Sequence, residues 1–202
     1  ARVDLLHAPA YTAPFWSPAP VVLTIHDVSY ARHPEWFPYR RDRLRRAFYR
    51  ESAVRATAIV TDSTFSAAEI HAAYGIAEGR ITVVPLGVDP AFMVPDDGAA
   101  AKLPTGVAGP YVLHVGDLHE RRNLSMVLRA VCAARRTEGA LSQLSLVLAG
   151  VDRGTGDALV RQASEAGAST AVVRLGKIDE VTLRALYRGA LALVYPSLYE
   201  GF

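Results

Sequence analysis

The sequence is poor in cysteine and has no long apolar run, and each absence excludes a class of protein. Cys132 is the one cysteine among 202 residues, so no disulfide can form within the chain, and we expect a buried, inert thiol in a reducing compartment. No apolar run reaches the roughly 18–20 residues of a membrane-spanning helix. The opening residues ARVDLLHAPA lack the charged leader and apolar core of a signal peptide. These features predict a cytoplasmic protein.

Several chemical signatures are also missing. The net charge of +2 is too small to indicate a nucleic-acid-binding protein. The sequence contains no GxxxxGK[ST] loop and no GxGxxG loop, and its histidines lack metal-binding spacing. No Asp-x-Asp pair is present to hold a nucleotide-bound divalent ion. We therefore predict no metal and no cofactor, and expect arginine and backbone groups to bind any phosphate.

What the sequence does contain is an alternation of short β-rich runs with helical segments. Four runs in the first half are nearly continuously apolar, as in strands buried on both faces of a parallel sheet: 3–7, 21–26, 58–61 and 81–86. In the helical segment between the last two, Ser66 and Glu69 have the spacing of a capping box. Gly75 is predicted to end that helix.

The pattern is interrupted and then resumes. Residues 88–110 are rich in proline and glycine and show no period. Predicted elements then follow as strands at 111–116, 144–150, 171–176 and 191–196, and helices at 123–136, 156–166 and 179–189. The alternation predicts an α/β fold of two lobes, with a first lobe at 1–88, a linker at 89–110 and a second lobe at 111–202. A single sheet running through both halves is the alternative.

The stretch HVGDLHERRNL (114–124) is the strongest candidate for anion binding. A strand ends at Gly116, and Arg121, Arg122 and Asn123 stand where the next helix is predicted to begin. Helix N-termini attract anions, and two guanidinium groups there would oppose the helix dipole unless a phosphate were bound. The alternative is a pair of solvated arginines near Glu120.

Two other predicted strand ends carry polar groups, and such ends are where ligands bind in α/β sheets. His26 could hydrogen-bond a ligand or act as a base, or it could be satisfied by Asp27 or by the backbone. Glu200, followed by Gly201, could accept sugar hydroxyls or could cap a helix.

The segment YRRDRLRRAFYR (39–50) contains six arginines and one aspartate. Its helical spacing predicts one apolar face, formed by Leu44, Ala47, Phe48 and Val54. The arginines, from Arg40 to Arg50, then form a solvated surface, a patch for anionic lipid headgroups, or a weaker candidate for nucleic acid.

Five segments in order resemble the retaining glycosyltransferases of family 4, whose GT-B architecture has two Rossmann-like lobes. PVVLTIHDVSYARHPEWFP is similar to the strand and loop that carry the first-lobe histidine. VTDSTFSAAEI and ITVVPLGVDPAF resemble the end of that lobe and the crossing to the second. YVLHVGDLHERRNLSMVLRA resembles the donor-phosphate loop. LRALYRGALALVYPSLYEGF resembles the run into the Glu-(seven residues)-Glu element.

The resemblance implies roles for individual residues. Arg121 and Arg122 would hold the donor pyrophosphate, Glu200 would contact the transferred sugar, and His26 would face that sugar. The backbone at 176–178 would meet the nucleotide base. The implied catalytic residues are His26, Arg121, Arg122 and Glu200, and the implied donor-binding residues are Gly116, Arg121, Arg122, Asn123, Gly176, Lys177, Ile178 and Glu200.

The chain also departs from the family pattern. Arg122 stands where lysine is more frequent, Glu120 replaces a proline, Asp117 follows Gly116 where some members have arginine, and Gly87 occupies a position where many have asparagine. Members of the family extend beyond both ends of this sequence, so the resemblance implies a chain truncated at both ends.

The implied activity is metal-independent sugar transfer, with retention, from a nucleotide-sugar to an acceptor hydroxyl in the cleft between the lobes. GDP-mannose is the expected donor, with UDP-sugars left open, and the acceptor is a saccharide or a lipid-linked saccharide. The arginine-rich helix implies a possible peripheral contact with an anionic membrane. The alternatives are a non-catalytic nucleotide-sugar-binding or scaffold module and a nucleotide-sugar epimerase of the same architecture.

Overall fold

The structure, a computed structural model, describes residues 3–38, 40–93 and 103–202. Within them the strands form two separate four-stranded sheets, in which every strand pair is parallel. Contacts group the chain into two compact units, Ala1–Val88 with Tyr199–Phe202, and Asp89–Leu198. The two sheets confirm the α/β prediction and exclude a single threaded sheet. The linker at 89–110 stays a prediction, since residues 94–102 lie outside the described residues.

The sheet of the first unit has the order β1-β2-β3-β4. Its strands are β1 (Leu6–Ala8), β2 (Val21–Thr24), β3 (Ala58–Thr61) and β4 (Ile81–Val83). The helices are α1 (Ser29–Arg32), α2 (Arg43–Arg55) and α3 (Thr64–Tyr74). β4 is shorter than the predicted 81–86 because Leu86 is exposed and only Val84 continues the pairing, through its N–H to the Thr61 carbonyl oxygen at 2.8 Å.

The central strands of the first unit carry its core. Leu23 and Ile59 are fully buried, as is Ile25 directly after β2. Ile70 of α3 packs with them in one apolar cluster. Their nearly unbroken apolar sequence follows from the sheet having both faces covered.

The start of α3 differs from the prediction. The N-cap is Ser63, whose side-chain oxygen accepts a hydrogen bond from the Ser66 backbone N–H at 3.0 Å. The predicted capping box at Ser66 and Glu69 is therefore wrong, because Ser66 already lies in the first turn of the helix. The predicted end is confirmed, since Gly75 has a left-handed φ of 70° and donates its N–H to the His71 carbonyl oxygen.

The predicted apolar face of α2 is largely wrong. Leu44 is 85% exposed and Ala47 is also exposed. The buried residues of the helix are Ser52 and Ala53, and Tyr49 packs against the core beside them. The residues of α2 that pack in the core lie in its C-terminal half, so apolar spacing in its N-terminal half does not report burial. Tyr39, the first residue of the predicted segment, lies outside the described residues.

The sheet of the second unit has the order β7-β6-β5-β8. Its strands are β5 (Tyr111–Val115), β6 (Ser145–Ala149), β7 (Val172–Gly176) and β8 (Ala192–Leu193). The helices are α4 (Leu124–Ala134), α5 (Gly156–Glu165) and α6 (Glu180–Gly189). The predicted strand at 191–196 pairs over only two residues because β8 is an edge strand that contacts β5 alone.

Every residue of β6 is buried, so both faces of the second sheet carry a core. Leu146 and Leu148 pack in one cluster with Leu128 of α4. Val147 points the other way and packs with Leu186 of α6. In the part of the chain that the structure describes, no helix has both the length and the apolar character needed to cross a bilayer.

Candidate active site

A glycine ends or directly follows each of three neighbouring strands of the second unit: Gly116 after β5, Gly150 after β6 and Gly176 at the end of β7. The Gly116 N–H donates to the Ala149 carbonyl oxygen at 2.8 Å, and the Gly150 N–H donates to the Gly176 carbonyl oxygen at 2.9 Å. Gly116 and Gly176 have φ values of 128° and 68°, which disfavour any side chain. This edge of the sheet therefore presents backbone without side chains, which lets a ligand approach closely.

The predicted arginine pair follows the first of these glycines. Arg121 and Arg122 lie in a single 3-10 turn, Glu120–Arg122, in which the His119 ring accepts a hydrogen bond from the Arg121 backbone N–H. Asn123 then adopts a left-handed φ of 54°, and α4 begins at Leu124. The arginines thus lie in a separate turn directly before α4, close to the predicted start of the helix. Because both guanidinium groups precede the first turn of α4, their unfavourable interaction with the helix dipole is weaker than expected.

Aromatic stacking orients the second guanidinium. The Cζ atom of Arg122 lies 4.8 Å from the centre of the Tyr195 ring, and its Nη1 is 3.4 Å from the Ser197 hydroxyl. The Tyr195 ring is itself stacked on the ring of His114, with centres 5.0 Å apart and planes inclined by 27°. A guanidinium over a tyrosine face gains cation–π attraction of about 0.5–2 kcal/mol. Arg122 is therefore preorganised before any ligand binds.

His114 is fully buried beneath this stack. Burial lowers the pKa of its imidazole, and the nearby positive charge of Arg122 acts in the same direction, against a hydrogen bond to the Val194 carbonyl oxygen. The ring is thus kept neutral at neutral pH and acts as a flat support for Tyr195 without adding charge beside Arg122.

The segment after β8 contacts the 3-10 turn Glu120–Arg122, which we call the arginine turn. The Leu198 N–H donates to the Arg121 carbonyl oxygen at 2.8 Å, and the Asn123 side-chain amide lies 3.4 Å from the Pro196 carbonyl oxygen. Asn123 therefore joins two stretches of the second unit that are far apart in sequence, which gives it a structural role in addition to the one that the resemblance implies.

The remaining predicted donor contacts of this unit follow β7. Gly176 uses its carbonyl oxygen to bind Gly150, Lys177 is exposed, and Ile178 is half-buried against the core. In the described ranges no group of three or more His, Cys, Asp or Glu residues is placed to hold a metal ion.

In the first unit, His26 is paired with a carboxylate that was not among the predicted site residues. Its Nδ1 lies 2.8 Å from the Oδ2 of Asp62, which follows β3. The neighbouring Asp27 instead accepts hydrogen bonds from the Ser29 backbone N–H at 2.9 Å and the Ser29 hydroxyl at 2.7 Å. The interpretation that His26 is satisfied by Asp27 is therefore wrong.

Glu200 lies next to a residue that is tightly bound to the first unit. The Gly201 carbonyl oxygen accepts hydrogen bonds from the hydroxyls of Ser63 and Ser66, the latter at 2.7 Å. A Cβ atom added to Gly201 would lie 2.6 Å from the His26 carbonyl oxygen, so only glycine fits there. The structure thus brings His26 and the backbone around Glu200 together.

Tyr199, on the other side of Glu200, is also buried in the first unit. Its hydroxyl donates to a Glu69 carboxylate oxygen at 3.3 Å, and its ring packs edge-on against His33 and Phe65. Burial raises the pKa of the Tyr199 phenol well above its usual range. The segment that carries Glu200 is therefore held on both sides.

The residues that sequence reasoning missed act through contacts distant in sequence: Asp62, Ser63, His114 and Tyr195. A usable signal existed for one of them. Asp62 directly follows a predicted strand, and polar residues that end adjacent parallel strands lie at one sheet edge. The order of the strands, which decides which ends are adjacent, was not available from the pattern.

Two family profiles match the chain. The one described as Glycosyltransferase Family 4 matches residues 1–92, and the one described as Glycosyl transferases group 1 matches residues 99–202. Each profile covers one half of the chain, and together they leave only a short gap.

Curated relatives are similar over nearly all of this chain. The O-antigen chain mannosyltransferase B of Escherichia coli is 31% identical over 187 residues, which is 90% of this chain and 48% of that protein. A glycogen synthase of Mycobacterium tuberculosis is 30% identical over 209 residues, covering 100% of this chain and 48% of the relative. The chain spans about half the length of these two relatives.

Solved structures show the same fold. Anabaena Alr3699/HepE in complex with UDP and glucose superposes with a TM-score of 0.70 at 20% identity, covering 91% of this chain and 48% of that one. Sucrose-phosphate synthase from Thermosynechococcus elongatus gives a TM-score of 0.72 at 21% identity, covering 98% of this chain and 51% of that one. The likeness confirms the predicted pair of Rossmann-like units.

Proposed function

Because the chain belongs to the glycosyl transferases of group 1, we propose that it transfers a sugar from a nucleotide-sugar to an acceptor hydroxyl, with retention at the anomeric carbon and without a metal or cofactor. The observation that carries the proposal is the arginine turn at the glycine edge of the second unit. At this edge a ligand can approach the glycine backbone closely, and two cationic side chains follow in the next turn. One of them, Arg122, is already oriented by Tyr195.

This arrangement suits a departing diphosphate. As the bond between the anomeric carbon and the diphosphate oxygen breaks, negative charge grows on the diphosphate. Arg121 and Arg122 would stabilise that charge, and Arg122 is already oriented by Tyr195. Losing one preorganised donor of this kind typically lowers turnover by about 10²–10³-fold. Arg122 and Glu120 differ from the residues that are usual in the family. The guanidinium groups of Arg121 and Arg122 are nevertheless both present.

The first unit would supply the sugar-side groups. His26 has a half-exposed ring, and Gly201, the residue after Glu200, packs against the His26 backbone. A carboxylate and an imidazole offer hydrogen-bond partners for sugar hydroxyls. The backbone at Gly176 and Ile178, with Lys177 exposed between them, is the proposed surface for the nucleotide base.

We propose GDP-mannose as the first donor to test, with a saccharide or lipid-linked saccharide acceptor in polysaccharide synthesis. The support is the similarity to a protein named as an O-antigen mannosyltransferase. UDP-glucose is the second donor to test, since a structural neighbour holds UDP and glucose.

The test is donor turnover by the full-length protein, followed as nucleotide released with acceptor present. Arg122→Ala should lower kcat at least about tenfold while the fold is retained, and Arg122→Lys should be milder. Arg161→Ala is the matched control, because Arg161 is an exposed arginine of the same unit on α5. Wild-type turnover in Arg122→Ala would refute the role of the arginine turn.

The same assay separates the two alternatives. A non-catalytic binding module would bind the nucleotide-sugar without releasing nucleotide in the presence of acceptor extract. An epimerase would change the donor sugar without any acceptor. Either outcome in the wild-type protein would replace the proposed transfer.

We further propose that the first unit makes a peripheral contact with an anionic membrane. Phe15 and Trp16 in the loop before β2 are 56% and 79% exposed, and Phe15 packs edge-on against Phe48 of α2 with ring centres 4.8 Å apart. With Arg55 they line an open cavity of about 310 Å³. Exposed aromatics beside a basic helix match a surface that inserts rings among charged headgroups.

The cationic part of this surface is the N-terminal half of α2. Arg43 is exposed, and within the described residues neither Arg43 nor Arg46 forms an ion pair with a carboxylate. Each basic residue near an anionic surface contributes about 1 kcal/mol. Arg43 and Arg46 are therefore the charges that we propose to contact the anionic lipid.

Liposome sedimentation tests this contact. The full-length protein should bind vesicles containing phosphatidylglycerol and lose binding in pure phosphatidylcholine or at high salt. The double change of Arg43 and Arg46 to alanine should weaken binding about 30-fold, from about 1 kcal/mol for each arginine. Arg161→Ala is the control, and equal binding by all variants would refute the proposal.

A further inference from the structure

The carboxylate of Asp62 is placed by the sheet to bind the ring of His26. β2 and β3 are parallel, with Thr24 beside Val60, so the positions two residues further on face each other just beyond the paired strands. These are His26 and Asp62, whose Nδ1 and Oδ2 atoms are 2.8 Å apart. The Asp62 side chain is only 9% exposed, whereas the His26 side chain is 42% exposed. The pair thus has a buried anchor and an open ring.

A second contact restricts the rotation of the ring. Tyr11 lies edge-on to His26, with ring centres 5.8 Å apart and planes at 71°. Tyr11 itself has a φ of 55°, a strained value for a tyrosine, and its N–H donates to the Thr24 carbonyl oxygen at 2.9 Å. Two contacts from different elements therefore define the plane of the imidazole.

Because the partner of the His26 ring is a carboxylate, it decides which ring nitrogen carries the proton. An ionised carboxylate oxygen can only accept a hydrogen bond, so the shared proton belongs to Nδ1 of His26. In the neutral ring, Nε2 is left with a lone pair. A histidine with a fixed tautomer presents one defined acceptor, whereas an unpartnered ring divides between two forms.

We propose that Asp62 is a positioning residue that holds His26 in the Nδ1–H tautomer, so that Nε2 accepts a hydrogen bond from a hydroxyl of the bound donor sugar. The inference rests on the proposed glycosyl transfer and assigns a specific task within it. Asp62 acts through His26 and does not itself contact the sugar.

The first measurement needs no variant and no substrate. Nitrogen NMR of the ¹⁵N-histidine-labelled full-length protein reports which ring nitrogen is protonated, with His26→Gln identifying the signals. We expect protonation at Nδ1 of His26 in the wild-type protein. Protonation at Nε2 alone would overturn the proposal, whatever the activity of the protein.

The second measurement asks whether Asp62 acts through the ring. Asp62→Asn keeps the size of the side chain but can donate as well as accept, so it no longer dictates the tautomer. We expect kcat/KM for the donor to fall about 10–100-fold, the range for removing the orienting partner of a functional histidine. In a His26→Ala background the same change should have almost no further effect, which a merely structural role would not produce.

A matched control exists in the same unit. Glu35 accepts a hydrogen bond from Nδ1 of His33 at 3.1 Å, so it forms a second histidine–carboxylate pair. Glu35→Gln removes that carboxylate without touching His26 and should leave kcat/KM within about twofold, as expected for an exposed pair. An Asp62→Asn variant with unchanged kcat/KM, or additive losses in the His26→Ala background, would refute the inference.

Monodeoxy donor sugars complete the test. The wild-type protein should discriminate against the donor that lacks the hydroxyl bound to Nε2, and Asp62→Asn should lose that discrimination. Failure of the proposed function looks different, because no nucleotide-sugar would then be turned over by the wild-type protein. That result removes the sugar-binding part of the inference, while the NMR result separately decides the tautomer.

Discussion

Replacing Gly150 by alanine should disrupt the second unit at the edge where the donor is proposed to bind. A Cβ atom there would lie 1.8 Å from the carbonyl oxygen and 2.4 Å from the carbonyl carbon of Gly116. Both atoms belong to the backbone, so no flexible side chain can move aside. The ends of β5 and β6 must separate by about 1.2 Å to restore even a 3.0 Å contact.

The expected loss of stability follows from this displacement. Overpacking in a well-packed region costs about 1–3 kcal/mol. Two hydrogen bonds cross the same point, one from Gly116 to Ala149 and one from Gly150 to Gly176. Weakening each costs about 1 kcal/mol. Alanine has less conformational entropy than glycine in the unfolded chain, and this difference offsets about 0.4–1 kcal/mol of the lost stability. The net expectation is about 2–5 kcal/mol, a large share of a typical total of about 5–15 kcal/mol.

The assay can assign this loss to one unit. Both tryptophans of the chain, Trp16 and Trp36, belong to the first unit. Tryptophan fluorescence during urea unfolding therefore follows the first unit, while far-ultraviolet circular dichroism follows the helices of both. Gly150→Ala should move the circular dichroism transition to lower urea and leave the fluorescence transition nearly in place.

Gly79→Ala is the control, because a Cβ at Gly79 would meet nothing within 4 Å. Its expected effect is a change of at most about 1 kcal/mol, chiefly through the unfolded chain. If Gly150→Ala unfolded at the same urea concentration as the wild-type protein, the close approach of the two strand ends would be refuted, and with it the side-chain-free edge on which the proposed donor site depends.

Two further predictions concern the same unit. Tyr195→Leu removes the ring that orients Arg122 and should lower kcat/KM for the donor by about 2–30-fold, which corresponds to about 0.5–2 kcal/mol of cation–π attraction. Tyr195→Phe keeps an aromatic ring and should retain most activity. A leucine variant with the kinetics of the wild-type protein would contradict the stacking. The pKa of the Asp152 carboxyl is held below its usual range, first by the Gly156 backbone N–H, so its stabilisation is present above the ordinary aspartate pKa and is lost as the pH falls through the lowered value. Asp152→Asn should therefore destabilise the second unit at pH 7 more than at pH 3, measured as urea midpoints by circular dichroism, and a pH-independent effect would exclude this origin.

The alternation of apolar runs was enough to predict the strands of both units, because a strand buried on both faces leaves an unmistakable run of apolar residues. The bounds were less accurate where apolar residues leave the sheet. Leu86 continues the apolar run of β4 yet is exposed. A strand ends where its backbone no longer pairs with a neighbouring strand. The apolar character of a residue does not report whether that pairing continues.

The amphipathic pattern of α2 failed for a related reason. Leu44 and Phe48 have correct helical spacing, but Leu44 is exposed and Phe48 packs on Phe15 of a surface loop. Spacing identifies residues that share a face of a helix. Which face lies on the sheet depends on where the helix begins and on the loop that reaches it.

The sequence by itself determined the α/β class, the candidate strand ends and the arginine pair, because these follow from local periodicity and from residue types at strand ends. Only the tertiary structure paired His26 with Asp62 and Arg122 with Tyr195, which are 36 and 73 residues apart in the chain. Such pairs form because parallel register and strand order bring distant strand ends to one edge, and neither quantity is a property of any single segment.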